Sequence, residues 1–422
     1  MSISQNFPDE GPSLNLNFAS SRILDPRITF TRTSTGTYTD KNGLVTIAPT
    51  DTPRFDHSYN GSNVQSLGLL VEESRTNLLL RSEEFGTSPW SVTSANASVS
   101  ANQEISPNGT LTADKLVEDT SASTFHRVQQ SVTLAAGSVT YSVYLKAAGR
   151  NFALLVVFNG TNSRHIDVKF NLLNGTVDTV SNGSASITNV GNGWFRCSVT
   201  STTTVSASNI AYVYAASVAG GGATYEAYTG DGTSGLYIWG AQLEAGAFPT
   251  SYIPTVASSV TRSTDNAIMT GTNFTSWYNS TEGTLFAAAR INALGGSNYP
   301  GIAYVDDGTV NNCIGFYIND AGSDNIGAEA YISNVAQYGL SSSAIVPNQL
   351  NKVISAYKVN DFAAVFSMSG TVGTDASGSI PTVNRLIIGL LRGGNAPLNG
   401  TISQLSYYPK RLTNSQLQNL TK

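Results

Sequence analysis

The sequence predicts an all-β chain: two antiparallel β-sandwiches of jelly-roll type that follow an irregular, β-rich N-terminal segment. Three observations predict it. Only 12% of the 422 residues are charged, about half the ~25% of an average globular chain, and Ser, Thr, Asn and 39 glycines stand in their place. That exchange removes strong helix formers and supplies turn formers and β-branched threonine. Asn-Gly pairs begin at Asn42, Asn60, Asn108, Asn159, Asn174, Asn182, Asn192 and Asn399, and both residues tolerate the positive φ of a type I′ hairpin turn. Between the turns run short apolar or alternating stretches, in two series, with no heptad repeat for a coiled coil.

Taken in order, residues 1–85 carry Pro, Gly and Asp scattered among short strand signals such as RITFTRT. Residues 86–262 form the first strand series. Within it NFALLVVFNGTNSRHIDVKFNLLNGTVDTV, Asn151–Val180, reads as strand, turn, strand, turn, strand, which is a β-meander. The series ends in LYIWGAQLEAGAFPTSYIP, where Pro249 and Pro254 break the pattern. Residues 263–422 restart with TLFAAARINA and close with GTISQLSYYPKRLTNSQLQNL. One helix is readable, in TNSQLQNL: Thr413 caps, Gln416 completes a capping box three residues on, and Leu417 and Leu420 share a face.

The formal net charge of −5 and the lack of a Lys/Arg cluster give no reason to expect a nucleic-acid partner, because phosphate contacts need clustered cations. Cys197 and Cys313 are far apart with no CxxC spacing, so both are expected as free thiols. The N-terminus shows no basic start with an apolar core, so no signal peptide is expected. The longest apolar run, FALLVVF, is one strand long and far short of the ~20 residues that span a bilayer, so no membrane insertion is expected.

Chemistry is scarce. GLLVEESRTNLLLRSEEF, Gly68–Phe85, gathers four glutamates and two arginines. Glu72 and Glu73 would point to opposite faces of a strand, so they cannot flank one glycosidic bond at the ~5–9.5 Å a glycosidase needs. Glu83 or Glu84 would have to supply a distant partner. Arg75 and Arg81 stand within a few residues, and an arginine fork makes a partly buried carboxylate tolerable. A structural brace of Glu72, Glu73, Arg75 and Arg81 is therefore the expectation, with no catalytic residue. The three histidines, His57, His126 and His165, have no metal-ligand spacing, and no GxSxG, Walker or GxGxxG motif occurs. Asp306, Asp307, Asp320 and Asp324 lie in Gly- and Asn-rich loops and have the oxygen chemistry for calcium. None follows an EF-hand pattern, so solvated loop aspartates are the preferred reading and no cofactor is expected.

Aromatic side chains remain, because sugar rings stack on Trp and Tyr while amides and carboxylates satisfy their hydroxyls. Trp90, Trp194, Trp239 and Trp277 are the tryptophans; Trp194 and Trp239 sit inside strand patterns and are expected in the core. Tyr212 and Tyr214, two residues apart, would share one sheet face. With Tyr225 and Tyr228 they are the expected glycan-binding strip.

The strings FTRTSTGTYTDKNGLV, DTPRFDH, GLLVEESRTNLLLRSEEF and IWGAQLEAGAFPTSYIPT, then VTRSTD, resemble segments of tailed-bacteriophage virion proteins of the tail-fibre, spike or head-fibre kind. The resemblance covers residues 14–265. It implies a carbohydrate-binding-module-like jelly roll over 86–262, and the closing LNGTISQLSYYPKRLTNSQL resembles a concanavalin A or laminin-G sandwich over 263–422. It further implies a virion protein assembled in the host cytoplasm. Such a protein docks to other virion proteins through residues 1–85, adheres to host surface polysaccharide and forms a homotrimer. A decoration protein without ligand and a polysaccharide depolymerase are the alternatives; the long coil repeats of a β-helix depolymerase are absent.

Overall fold

The structure, a computed structural model, describes residues 8, 9, 11–92, 96–159, 164–204, 206–218, 227–292, 294, 299–320, 322–367 and 370–422. They build two antiparallel sandwiches, as the turn-rich, low-charge composition predicts. The first is continuous in sequence. A five-stranded sheet runs His126–Leu134, Ala207–Ala216, Phe152–Phe158, Arg164–Asn171, Thr176–Asn182. A six-stranded sheet runs Ser184–Gly191, Trp194–Thr204, Gly137–Ala148, Gly235–Ala245, Leu111–Glu118, Ala97–Ile105. Side chains that alternate along these strands, such as Val139, Tyr141, Val143 and Leu145 against Leu155, Val157, Ala211 and Val213, fill the space between the sheets. Alternation puts every second residue on the outer faces, and that is where Tyr144, Arg196 and Tyr212 lie. The predicted β-meander supplies three adjacent strands of the five-stranded sheet, from its centre to one edge.

The second sandwich is assembled from both ends of the chain. Its eight-stranded sheet runs Val372–Asp375, Asp361–Phe366, Asn351–Lys358, Glu282–Ile291, Gly400–Tyr408, Val64–Val71, Phe55–Tyr59, with Leu14–Leu16 also paired to Gly400–Tyr408. Its seven-stranded sheet runs Thr29–Thr31, Asn266–Thr270, Arg385–Ile388, Gly301–Asp306, Cys313–Asn319, Asn325–Ile332, Val335–Ala344. The sequence reading of residues 1–85 as a segment apart is therefore corrected: its strands are members of the C-terminal sandwich, and Leu14, Leu16, Phe18, Phe30, Leu69 and Val71 lie in that sandwich's core. The partners lie too far along the chain for pattern reading to find them, as Leu14↔Tyr407 and Phe30↔Ala267 illustrate. Topologically the first sandwich is an insertion into the second. Its entry strand Arg75–Asn77 and exit strand Val260–Arg262 pair with each other antiparallel.

Local sequence signals mostly hold. Thr413 and Gln416 form the capping box of the helix Asn414–Leu420, and Leu417 packs with Leu412 and Ile354. The hairpin turn Asn192-Gly193 has both residues at positive φ, 54° and 78°. Asn182-Gly183 differs: Gly183 (φ 97°) is the corner where the chain leaves one sheet for the other. Asn399-Gly400 also differs, since Gly400 is the first residue of a strand. The turn expected after Asn159 lies outside the described residues. Cys197 and Cys313 are free, buried and in different sandwiches. All four tryptophans are buried. Among the described residues no helix is long and apolar enough to cross a membrane.

The graft of the N-terminal strands onto the C-terminal sheet has a sensitive point at Gly68. It sits at φ 110°, and a Cβ there would lie 2.1 Å from the carbonyl oxygen of Ile402. Gly68→Ala is expected to destabilise by at least the ~1–3 kcal/mol of a forbidden backbone conformation. Gly11→Ala, with nothing within 4 Å of the added carbon, is expected to be neutral; urea unfolding of the two variants measures the difference.

Candidate functional site

Where the inserted sandwich joins its host, five charged side chains are buried together: Arg32, Arg54, Glu72, Arg262 and Asp265. Arg54 bridges the two carboxylates, with Nη1 2.8 Å from Glu72 Oε2 and Nη2 2.5 Å from Asp265 Oδ2. Arg32 Nη1 takes the other Asp265 oxygen at 3.0 Å. Ser251 donates to Glu72 through its backbone N–H (2.7 Å) and its hydroxyl (2.6 Å). Arg262 Nη1 stands 3.5 Å from Glu72 Oε2; burial pulls its guanidinium below the usual arginine value, against the carboxylates of Glu72, Asp265 and Glu244 that favour its charge. Burial pushes the Glu72 carboxyl up, but Arg262, Arg54 and the Ser251 donors outweigh it and hold it down at about 2.

The glutamates and arginines singled out in the sequence thus divide. Glu72 belongs to the cluster above. Glu73 is held by Arg75 Nε at 2.5 Å and by the Asn399 amide, while the Arg75 guanidinium lies 4.7 Å from the Phe248 ring and donates to the Ala245 carbonyl. Arg81 pairs with Glu84 at the surface and takes no part in the joint. Arg32, Arg54, Arg262 and Asp265 were not singled out, because their partners become neighbours only after folding. Glu83 accepts from Tyr252 Oη at 3.0 Å.

Tyr212 and Tyr214 do share a face, with rings 5.4 Å apart. It is the outer face of the five-stranded sheet, yet the two rings are only 6% and 3% exposed, and Arg127 lies 4.8 Å from the Tyr212 ring centroid. The expected strip is therefore covered, and no sugar face can stack on it as it stands. Tyr228 is half-buried, donates to Glu118 at 2.7 Å and stacks near His126; Tyr225 lies outside the described residues. Asp306 has both oxygens occupied by Arg385 and by backbone N–H groups of Gly308 and Gly393. Asp307 caps its own loop through Thr309 and Asn312. Asp320 is buried and Asp324 takes a turn position at φ 47°. Among the described residues no three His, Cys, Asp or Glu side chains come together as a metal site.

Two open spaces flank the joint. A cleft of about 740 Å³ on one side is lined by Glu73, Arg75, Phe248, Asp320 and Asn399, and its principal charges are already paired. On the other side a groove of about 510 Å³ runs between the outer face of the six-stranded sheet and the edge strand Phe55–Tyr59. It continues inward into a pocket of about 110 Å³ that shares Asp56, Tyr144 and Arg196. The sheet wall is a ladder of hydroxyls: Ser184, Thr200 and Thr140 in one row, then Ser186, Ser198 and Ser142, then Thr188, Arg196 and Tyr144. In register on three strands, these side chains lie side by side on one face. Ser184, Ser186 and Thr188 are exposed on the edge strand. The opposite wall supplies Asp56, His57, Ser58 and Tyr59, and Asn292 and Asn348 sit at the margin. Asp56 Oδ1 accepts from the Thr39 N–H at 2.7 Å, and burial pushes its carboxyl up to about 6 against the pull of that bond.

No family model and no curated protein matches the chain. Solved structures match in part. The Ruminococcus gnavus IT-sialidase CBM40 bound to α2,3-sialyllactose aligns at 16% identity over 36% of this chain and 88% of its own, with a TM-score of 0.31. The native heptameric SAP-like pentraxin from Limulus polyphemus aligns at 16% identity over 34% and 70%, TM-score 0.27. The Trypanosoma rangeli sialidase in complex with the inhibitor DANA aligns at 14% over 37% and 26%, TM-score 0.29.

Two outcomes are expected of the joint. Glu72→Gln leaves Arg54 and Arg262 without their carboxylate and should cost about 3–5 kcal/mol of unfolding free energy, measured by denaturant titration. Asp56→Asn should act in the opposite sense and only above its titration. The folded carboxyl holds its proton more tightly than an unfolded aspartate, so stability is lost as pH rises through about 6. The asparagine variant should therefore melt higher than the parent at neutral pH and match it in acid, by calorimetry across that range.

Proposed function

We propose that the chain is a glycan-binding protein and that the groove between the sandwiches is its binding surface. The observation that carries this reading is the hydroxyl ladder of Ser184, Thr200, Ser186, Ser198 and Thr188 facing Asp56, Tyr59 and Asn348 across an open groove. A saccharide is recognised by arrays of donors and acceptors held on rigid elements, with aromatic edges nearby. Strand positions supply that rigidity, because each side chain's direction is set by the sheet.

Binding is favoured over cleavage. Asp56 has the raised pKa of a general acid, but a glycosidase needs a second free carboxylate across the sugar. Among the residues lining the groove and its inner pocket the other carboxylate is Glu72, whose oxygens are taken by Ser251 and Arg54.

The sequence resemblance supports a finer proposal, that of a tailed-phage virion appendage adhering to host polysaccharide as a homotrimer. Its docking surface on the particle would then be a face of the host sandwich, because residues 14–71 are committed to that sandwich's sheets. A shallow site exchanging water for hydroxyl contacts gains little and is expected at about millimolar strength, roughly −4 kcal/mol. Multivalent display would raise the working affinity.

The test is a glycan array followed by titration of hits with Ser186→Trp. Ser186 is exposed on an edge strand, so the bulky side chain should block the groove, weaken binding about tenfold or more and leave the melting temperature unchanged. Binding untouched by Ser186→Trp, or no glycan bound at millimolar concentration, overturns the reading.

A further inference from the structure

We propose that the groove takes a carboxylated glycan, with Arg196 receiving the sugar carboxylate and Asp56 opposing it from the facing wall. This rests on the glycan reading above and adds the charge class of the ligand. Most arginines near the joint are matched to carboxylates: Arg32 and Arg54 to Asp265, Arg75 to Glu73, Arg262 to Glu72. Arg196 is not. Its Nη2 donates to neutral oxygens, Ser142 Oγ at 3.1 Å and the Thr250 carbonyl at 2.7 Å. Its Nε is buried without a hydrogen-bond partner among the described residues, and its guanidinium lies 5.5 Å from the Tyr144 ring.

These contacts hold the cation in one place without neutralising it. A preorganised guanidinium loses little freedom when it captures a planar carboxylate. On the facing wall His57 Nδ1 is engaged with the Thr39 carbonyl at 3.0 Å, whereas Nε2 is buried without a partner among the described residues. Buried polar atoms are nearly always satisfied, and two residues that line this one groove, Arg196 and His57, each carry a nitrogen buried behind its walls without a partner among the described residues. The rest of the lining is hydroxyl and amide, which fits the remainder of a sugar acid.

Asp56 makes the affinity depend on pH. Around it stand Glu72 and Arg54 behind, Tyr38 and His57 on its own side, and Tyr144 and Arg196 from the facing sandwich. Burial places its titration near 6. Below that it is neutral, while a sugar carboxylate remains ionised; above it, its negative charge on the facing wall repels the incoming carboxylate. Affinity for an acidic glycan should fall as pH rises through this range.

The experiment titrates the full chain by calorimetry with oligosaccharides of galacturonic, mannuronic and sialic acid, each beside its methyl ester, at about pH 5 and about pH 7.5, either side of the Asp56 titration. At least one free acid is expected to bind about tenfold tighter than its ester at the lower pH, the scale of one charge-assisted hydrogen bond. That advantage should shrink at the higher pH. Asp56→Asn should keep it at both, and Arg196→Gln should bring the acid-to-ester ratio to about one at both. Should Arg196→Gln fail to fold, the acid-to-ester ratio of the parent and of Asp56→Asn decides alone. Equal binding of every acid and ester overturns the inference while the glycan reading stands; no binding of any compound overturns both.

Discussion

The ion cluster at the joint is the constraint on which the arrangement of the two sandwiches depends. Arg54 spans Glu72 and Asp265, and Arg32 closes the set on Asp265, with side-chain exposure of 0–2% for all four. Charges so deep are tolerated only when counter-charges and hydrogen bonds surround them; Arg262, whose guanidinium nitrogens have no hydrogen-bond partner among the described residues, rests on the Glu72 carboxylate 3.5 Å away. The members come from four stretches: Arg32 before the N-terminal hairpin of Gly36–Thr39 and Val45–Ala48, Arg54 and Glu72 on either side of the edge-strand turn, Arg262 and Asp265 on the way out of the inserted sandwich. A misplaced stretch would strand a charge in a dry interior. The cluster's contribution is thus specificity of assembly more than net stability, since a well-packed apolar set could match it in free energy.

That same cluster explains what was legible. The strings singled out in the sequence, FTRTSTG, DTPRFDH, GLLVEES and VTRSTD, are those that supply Arg32, Arg54, Glu72, Arg262 and Asp265. Strand periodicity, the capping box at Thr413 and the free cysteines were readable because each depends on neighbours in sequence or on simple burial. The grouping of Leu14–Leu16 and Val64–Val71 with Gly400–Tyr408 was not, because no local pattern encodes a partner more than three hundred residues away.

The site was less legible than the fold for a related reason. Tyr212 and Tyr214 obey the two-residue period, but period alone cannot say whether an outer face is bare. Here a cation and neighbouring apolar groups, Leu154, Val156 and Phe125, cover them. Ser184, Ser186, Ser198 and Thr200 look like filler in a serine- and threonine-rich chain. They acquire meaning only through register, which places them in rows opposite Asp56 and Tyr59.

Insertion is what converts an ordinary sheet face into a walled groove. The paired strands Arg75–Asn77 and Val260–Arg262 tether both ends of the inserted sandwich at one place. Tyr144, Trp194, Trp239 and Tyr252 pack at that end of the outer face against Val45 of the N-terminal hairpin. The aromatic end is sealed, and the hydroxyl end of the same face is left open beside the edge strand Phe55–Tyr59. One wall of the groove therefore belongs to each sandwich, and its width is set by the buried charges at the joint rather than by a flexible linker. A site made this way can be shallow and still hold its geometry, which suits a surface that gains its strength from many copies acting together.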